Sequence, residues 1–216
     1  MSAGSKKTTN RPLESAGFIV CEAGAEAGIL RLLCKERGLT EADVEIEDAQ
    51  GRQHLVAVCG DVFYESGGSA LRLMAVIFDS EEDLIQTQRL WADIANNVDS
   101  KARLLPFQLP AVDQVGSLET LIRQTIPDAS PGAACADQWA VCVQNDINLP
   151  ESHRKSTQAQ RDKAWLQVWL THRTRDTAYS RIGYAIEKNP SIRQELDPAL
   201  QRFNIILNEV LNAPLT

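Results

Sequence analysis

The stretch LRLMAVIFDSEED, residues 71–83, decides the fold class and raises the question of function. The strand predicted over residues 71–79 contains the apolar run 73–78, which is typical of a strand buried on both faces of a parallel sheet. The run then ends in Asp79, Ser80, Glu81, Glu82 and Asp83, with four acids among five residues. Acids at the start of a helix stabilise its dipole, so the cluster marks either a helix start or a site for a divalent cation.

Strand and helix patterns alternate on both sides of this stretch. Residues 17–21 and 43–48 predict two further strands, and residues 102–110 predict a fourth that is interrupted by proline. Alternation of this kind is the signature of a parallel sheet covered by helices. We therefore predict a flexible tail over residues 1–16 and an α/β core over 17–127. Only helical patterns follow, which predicts an all-α C-terminal portion over 136–212.

The composition favours a cytoplasmic protein. The five cysteines are odd in number and show no C-x-x-C spacing, which disfavours both a disulfide framework and a zinc site. No apolar run reaches the length of a membrane span, and the N-terminal residues contain no apolar signal region.

The formal net charge of −7 is spread unevenly along the chain. Residues 154–193 contain nine Lys or Arg against three acids, a local charge of +6. A local basic face can hold phosphates whatever the total charge, so nucleic acid, DNA or RNA, is the expected partner. The candidate contact residues are Arg154, Lys155, Arg161, Arg173 and Arg175.

Acidic residues follow two of the predicted strands. Glu22 comes directly after the first strand, and Glu26 is four residues later, the spacing of one helix face. Asp79 and Glu81 end the third strand and would point to one side of an extended segment. Ligands bind beyond the carboxyl ends of parallel strands, so these four acids converge if the two strands are neighbours. Such oxygen ligands suit Mg²⁺, Mn²⁺ or Ca²⁺ rather than zinc.

The motifs in this order resemble the Toprim pattern of topoisomerases, primases and overcoming-lysogenization-defect nucleases. The chain is most similar to small stand-alone bacterial Toprim-related proteins of unknown function, over roughly residues 17–170. The fold that the resemblance implies is a Toprim-like parallel sheet flanked by helices, with an all-α C-terminal extension. The motifs are VCEAG (20–24), EDAQG (47–51), IFDSEED (77–83), GSLETL (116–121) and RDKAWL (161–166).

The resemblance implies a role for each acidic motif residue. Glu22 and Glu26 would be metal ligands and in part the general base, with Asp79 and Glu81 as the D-x-D ligand pair. Glu119 would complete the second metal position. Its alternative is an acid in the first turn of a helix that Ser117 caps. In this sequence Glu81 stands where the family pattern has Asp.

Lys163 resembles a catalytic lysine near the metals, and its alternative is a solvated lysine on an amphipathic helix. The expected function is Mg²⁺- or Mn²⁺-dependent hydrolysis of nucleic-acid phosphodiesters, with a role in phage defence. The expected assembly is either a complex with an ATPase or a homo-oligomer. The alternative is a non-catalytic Toprim-like binding or regulatory protein with a degenerate metal site, which the replacement of Asp by Glu81 favours.

Overall fold

The computed structural model describes residues 17–65, 73–98, 104–146, 148, 150–151, 157–174 and 181–213. Its centre is a four-stranded, all-parallel sheet in the order β2-β1-β3-β4. The strands are β1 Gly17–Cys21, β2 Val44–Asp48, β3 Met74–Asp79 and β4 Leu104–Leu109. The predicted α/β class with a parallel sheet is confirmed, and β1 and β3 are neighbours.

Helices follow each strand and then continue alone, as predicted. The helices between and directly after the strands are α1 Gly24–Glu36, α2 Leu55–Glu65, α3 Leu84–Asn97 and α4 Leu118–Thr125. The later helices are α5 Ala133–Asn145, α6 Gln158–Thr174, α7 Ile182–Lys188, α8 Pro190–Glu195 and α9 Asp197–Leu211. Among the described helices, none is both long and apolar enough to cross a bilayer.

Side chains of the central strands alternate between two buried clusters, because successive residues of a strand point to opposite faces. One face packs against α2 and α3, and the other packs against α1 and the helices from α4 onward. The C-terminal helices thus share one core with the sheet. The first face carries Phe18, Val20, Met74, Val76 and Phe78, and the second carries Ile19, Cys21, Ala75, Ile77 and Leu109.

Helix α7 approaches α1 closely at a pair of glycines. A Cβ atom added at Gly183 would lie 2.7 Å from the backbone oxygen of Gly28, a distance that real Cβ atoms do not adopt. A Cβ atom added at Gly28 would meet nothing within 4 Å. The contact therefore requires glycine on α7 and not on α1.

This asymmetry gives a test of the packing between α1 and α7. Gly183→Ala should lower the free energy of unfolding by about 1–3 kcal/mol, because the new methyl group forces the two helices apart. Gly28→Ala should instead raise it by about 0.5–1 kcal/mol, because alanine favours the helix and finds open space. Urea denaturation of both variants measures the two effects. Equal effects of the two substitutions would contradict the described approach of the helices.

Candidate metal centre

An open cleft of about 360 Å³ lies at the carboxyl ends of the parallel strands. Its walls come from the segments that follow β2, β3 and β4 and from the first half of α6. This is where ligands bind in parallel α/β folds. The charged residues that line the cleft are the acids Asp79, Glu81, Glu82, Asp83 and Glu119 and the cations Arg52 and Lys163.

Glu22 and Asp79 meet because β1 and β3 are paired side by side. The backbone N–H of Asp79 donates to Glu22 Oε2 at 3.1 Å, and the backbone N–H of Leu118 donates to Asp79 Oδ1 at 2.9 Å. The carboxylate of Glu22 thus reaches the end of β3, and that of Asp79 reaches the start of α4. The sequence prediction that the strand-end acids converge is confirmed for this pair.

Glu26 is the most buried acid of the group, with 2% of its surface exposed. Its Oε2 atom is buried without a hydrogen-bond partner among the described residues. Burial raises the pKa of Glu26 to about 8, and the nearby charges of Glu119, Glu22 and Asp48 add to that rise. A buried carboxylate oxygen without a donor is costly, which suggests a ligand that the oxygen would bind.

Burial also raises the pKa values of the two acids at the strand ends. The pKa of Glu22 rises to about 7, while the N–H of Asp79 and the charge of Arg52 oppose the shift. The pKa of Asp79 is raised well above its usual range, first by burial and then by Glu26, Glu22 and Glu119. Three of the acids therefore repel one another in a poorly solvated place, as the ligands of a cation do.

The geometry of two acids differs from what the sequence predicted. Glu22 lies in the segment before α1, which begins at Gly24, so Glu22 and Glu26 are not stacked on one helix face. Glu81 does not continue the extended strand, because its φ angle of 49° is left-handed. Two backbone hydrogen bonds with Gly116, of 2.7 and 2.6 Å, hold it there. The exposed Glu81 side chain still lines the cleft.

Glu119 and Lys163 approach each other across the cleft, with 3.9 Å between Glu119 Oε1 and Lys163 Nζ. Glu119 lies in the first turn of α4, whose N-cap is Ser117. The helix-start interpretation of Glu119 therefore also agrees with the structure. The Lys163 side chain is 65% exposed and lines the cleft, and its sequence neighbour Asp162 anchors this part of α6. Asp162 is 1% exposed and accepts hydrogen bonds from Thr120, Arg123 and Gln158.

The remaining acids of the cluster act at helix starts. Asp83 is the N-cap of α3 and accepts hydrogen bonds from the backbone N–H groups of Ile85 and Gln86. Glu82 accepts the backbone N–H of Gln158 at 2.8 Å, so it caps the first turn of α6 from a distant part of the chain. The helix-start interpretation therefore explains Glu82 and Asp83, and the cation interpretation concerns Asp79 and Glu81.

The residue types fit Mg²⁺ or Mn²⁺, but a finished ligand set is not preformed. Among the described residues, no group of three or more His, Cys, Asp or Glu side chains is placed to hold a metal ion. A cluster of Glu22, Asp79 and Glu81 is therefore not preformed, and the metal ligand set stays a prediction. The reason is that Glu22 and Asp79 each direct an oxygen to a backbone N–H, while Glu81 leaves the strand direction.

The predicted basic face is not a single exposed surface. Arg173, one of the candidate nucleic-acid contacts, is only 7% exposed in its side chain and pairs with Glu195 at 2.9 Å. It also donates to Ser130 and Ser191, so its guanidinium is engaged inside the protein and does not face a phosphate. Arg193 pairs with Glu36. Arg161 lies on α6 and bonds to Gln158, while Arg154, Lys155 and Arg175 lie outside the described residues.

Two functional candidates were missed at the level of sequence. Arg52 follows β2 at the same edge as the acids, so the strand-end rule could have found it. Asp162 lies four and seven residues before Leu166 and Trp169, which are both buried. A buried acid on the apolar face of a helix needs a partner for its charge, which is Arg123 here.

Comparisons of the chain with protein-family models, with curated proteins and with solved structures find no match. The Toprim resemblance therefore rests on the five short motifs of the sequence itself.

Proposed function

We propose that the protein is a Toprim-like, divalent-metal-dependent phosphodiesterase that acts on nucleic acid in the cytoplasm. The observation that supports this proposal is that Asp79, Glu119 and Lys163 line one cleft. Glu22 bonds to the backbone of Asp79, and the nearby Glu26 has a buried oxygen without a hydrogen-bond partner among the described residues. Glu22 and Glu26 lie just before and in the first turn of α1, whereas Asp79, Glu119 and Lys163 come from β3, α4 and α6, which are far apart in the sequence. A helix-start role for the acids would not require them to converge.

The candidate ligands for Mg²⁺ or Mn²⁺ are Glu22, Glu26, Asp79, Glu81 and Glu119. When bound, the ion would activate a water molecule and stabilise negative charge on the phosphodiester. Glu22, whose pKa lies at about 7, suits a general base near neutral pH. Lys163 would contact a phosphate oxygen and add positive charge. Arg161, Arg154, Lys155 and Arg175 stay predicted backbone contacts, and the ATPase partner, the homo-oligomer and the role in phage defence stay predictions.

The test of this function is a cleavage assay with a matched substitution. Purified wild-type protein should cleave plasmid, single-stranded DNA or RNA with Mg²⁺ or Mn²⁺, and EDTA should stop the reaction. Asp79→Asn should not cleave, although its amide oxygen can still accept the N–H of Leu118. Asp61→Asn, at an exposed position of α2, should cleave like wild type. Absence of wild-type cleavage on every substrate, or equal cleavage by Asp79→Asn, would reject the enzyme.

The second candidate is a non-catalytic binding or regulatory protein. It is favoured by the absence of a preformed three-ligand group among the described residues, and by Glu81 in place of Asp. Thermal melting separates this candidate from the first. Millimolar Mn²⁺ should raise the melting temperature if the site binds metal, by mass action on the folded state. The rise should be larger at pH 8 than at pH 6, because the ligands must lose their protons. Metal binding without cleavage would favour the regulatory protein.

A further inference from the structure

Arg52 lines the cleft and bonds to the backbone of the strand-end acid Asp79 rather than to its carboxylate. Its Nη1 atom donates to the backbone oxygen of Asp79 at 2.8 Å, and its Nη2 atom donates to Thr87 Oγ1 at 3.2 Å. The Thr87 hydroxyl also lies 2.9 Å from the backbone oxygen of Ser80. One guanidinium group therefore fixes the backbone at Asp79 and, through Thr87, at Ser80.

The turn before Arg52 is built to bring the guanidinium to this place. Gln50 and Gly51 both have positive φ angles, 60° and 123°, and reverse the chain after β2. The backbone N–H of Gly51 then donates to the oxygen of Glu22 at 2.8 Å, which docks the turn on the end of β1. Arg52 is half-buried and lines the cleft. Positive φ at two successive residues is uncommon and points to a required conformation.

We propose that Arg52 is a positioning residue of the metal site, whose fork holds the Asp79–Ser80 backbone so that the Asp79 and Glu81 carboxylates face the cleft. The inference rests on the proposed function. Arg52 acts on the ion through the backbone of its ligands and does not bind the ion itself. Partners of this kind typically contribute a factor of about 10–100 to metal affinity. A guanidinium suits the role because its planar fork serves two acceptors at once, which an ammonium does less well.

The test is Mn²⁺ affinity, measured by titration calorimetry on the full chain at a temperature where each variant is folded. Arg52→Met should weaken binding by about 10–100-fold. Arg52→Lys keeps the charge but not the fork, and its loss should be intermediate. Arg89→Met is the matched control, because Arg89 is an exposed cation of α3 whose charge acts on Asp83. Because solvent and salt screen the exposed charge of Arg89, Arg89→Met should change the Mn²⁺ affinity by no more than about twofold.

Each outcome has one meaning. The positioning role is supported if Arg52→Met binds Mn²⁺ more weakly than Arg52→Lys does, and Arg52→Lys binds it more weakly than wild type does. If Arg52→Met binds Mn²⁺ as wild type does, or no worse than Arg89→Met, the role of Arg52 is overturned while the metal site stands. If Arg52→Met does not fold, the Lys variant decides in the same way. Absence of Mn²⁺ binding by the wild-type protein would instead overturn the proposed function, and this inference with it.

Discussion

Glu26→Gln is expected to raise the free energy of unfolding by up to about 5 kcal/mol at pH 9 and by almost nothing at pH 4. Burial is the main cause that moves the pKa of Glu26 from 4.5 to about 8 in the folded protein. Between these values the unfolded chain has lost the proton while the folded protein keeps it. Wild-type stability from this group is therefore present below pH 4.5 and is lost as the pH rises to about 8. Glutamine carries no charge and avoids that loss.

The measurement is urea denaturation in EDTA at several values between pH 4 and pH 9. The difference between Glu26→Gln and wild type should grow with pH and level off above about pH 8. Glu41→Gln, at an exposed position, is the control and should stay within about 0.5 kcal/mol of wild type throughout. Equal or lower stability of Glu26→Gln at pH 9 would show that the carboxylate is solvated or paired. The same variant should also lose part of the melting response to Mn²⁺.

Arg173→Met is expected to lower the free energy of unfolding by about 3–5 kcal/mol, the usual cost of removing one partner from a buried ion pair. The Glu195 carboxylate is 17% exposed and would lose its cation. The guanidinium also lies over the ring of Trp169, with 5.2 Å between Cζ and the ring centroid. Thermal and urea denaturation measure the loss.

Two companion variants identify its cause. Arg89→Met, at an exposed position, should change the free energy of unfolding by no more than about 0.5 kcal/mol. The double variant Arg173→Met with Glu195→Gln should recover part of the loss, because the uncompensated charge is gone. A near-wild-type Arg173→Met would contradict the buried pair and restore Arg173 as a candidate phosphate contact.

The sequence predicted the strands, most of the helices and the place of the acids. Apolar runs and helical periodicity depend on local residues, so they could be read from the chain directly. The adjacency of β1 and β3 could be stated only as a condition, because periodicity gives no strand order. The short helix α8 was not predicted, although Asn189 followed by Pro190 is a helix-start signal.

The geometry of the candidate site depended on distant residues and could not be predicted. Glu81 adopts a left-handed backbone because Gly116, thirty-five positions later, bonds to it twice. Glutamate has no preference for that conformation. Arg173 is buried because Glu195 lies beside it. Nothing in the sequence around Arg173 distinguishes it from an exposed arginine. Such pairings belong to the tertiary structure.

The packing of α9 has a consequence for how the chain folds during synthesis. Helix α9 contacts β1 and β3 on the sheet face that carries Ile19 and Ile77. On the ribosome the part of this face that α9 covers stays exposed until residues 197–211 have left the exit tunnel. Nascent chains of intermediate length would expose an apolar sheet surface, which is a chaperone-binding and aggregation-prone state. Premature stops before residue 197 should therefore yield insoluble product rather than a smaller folded domain.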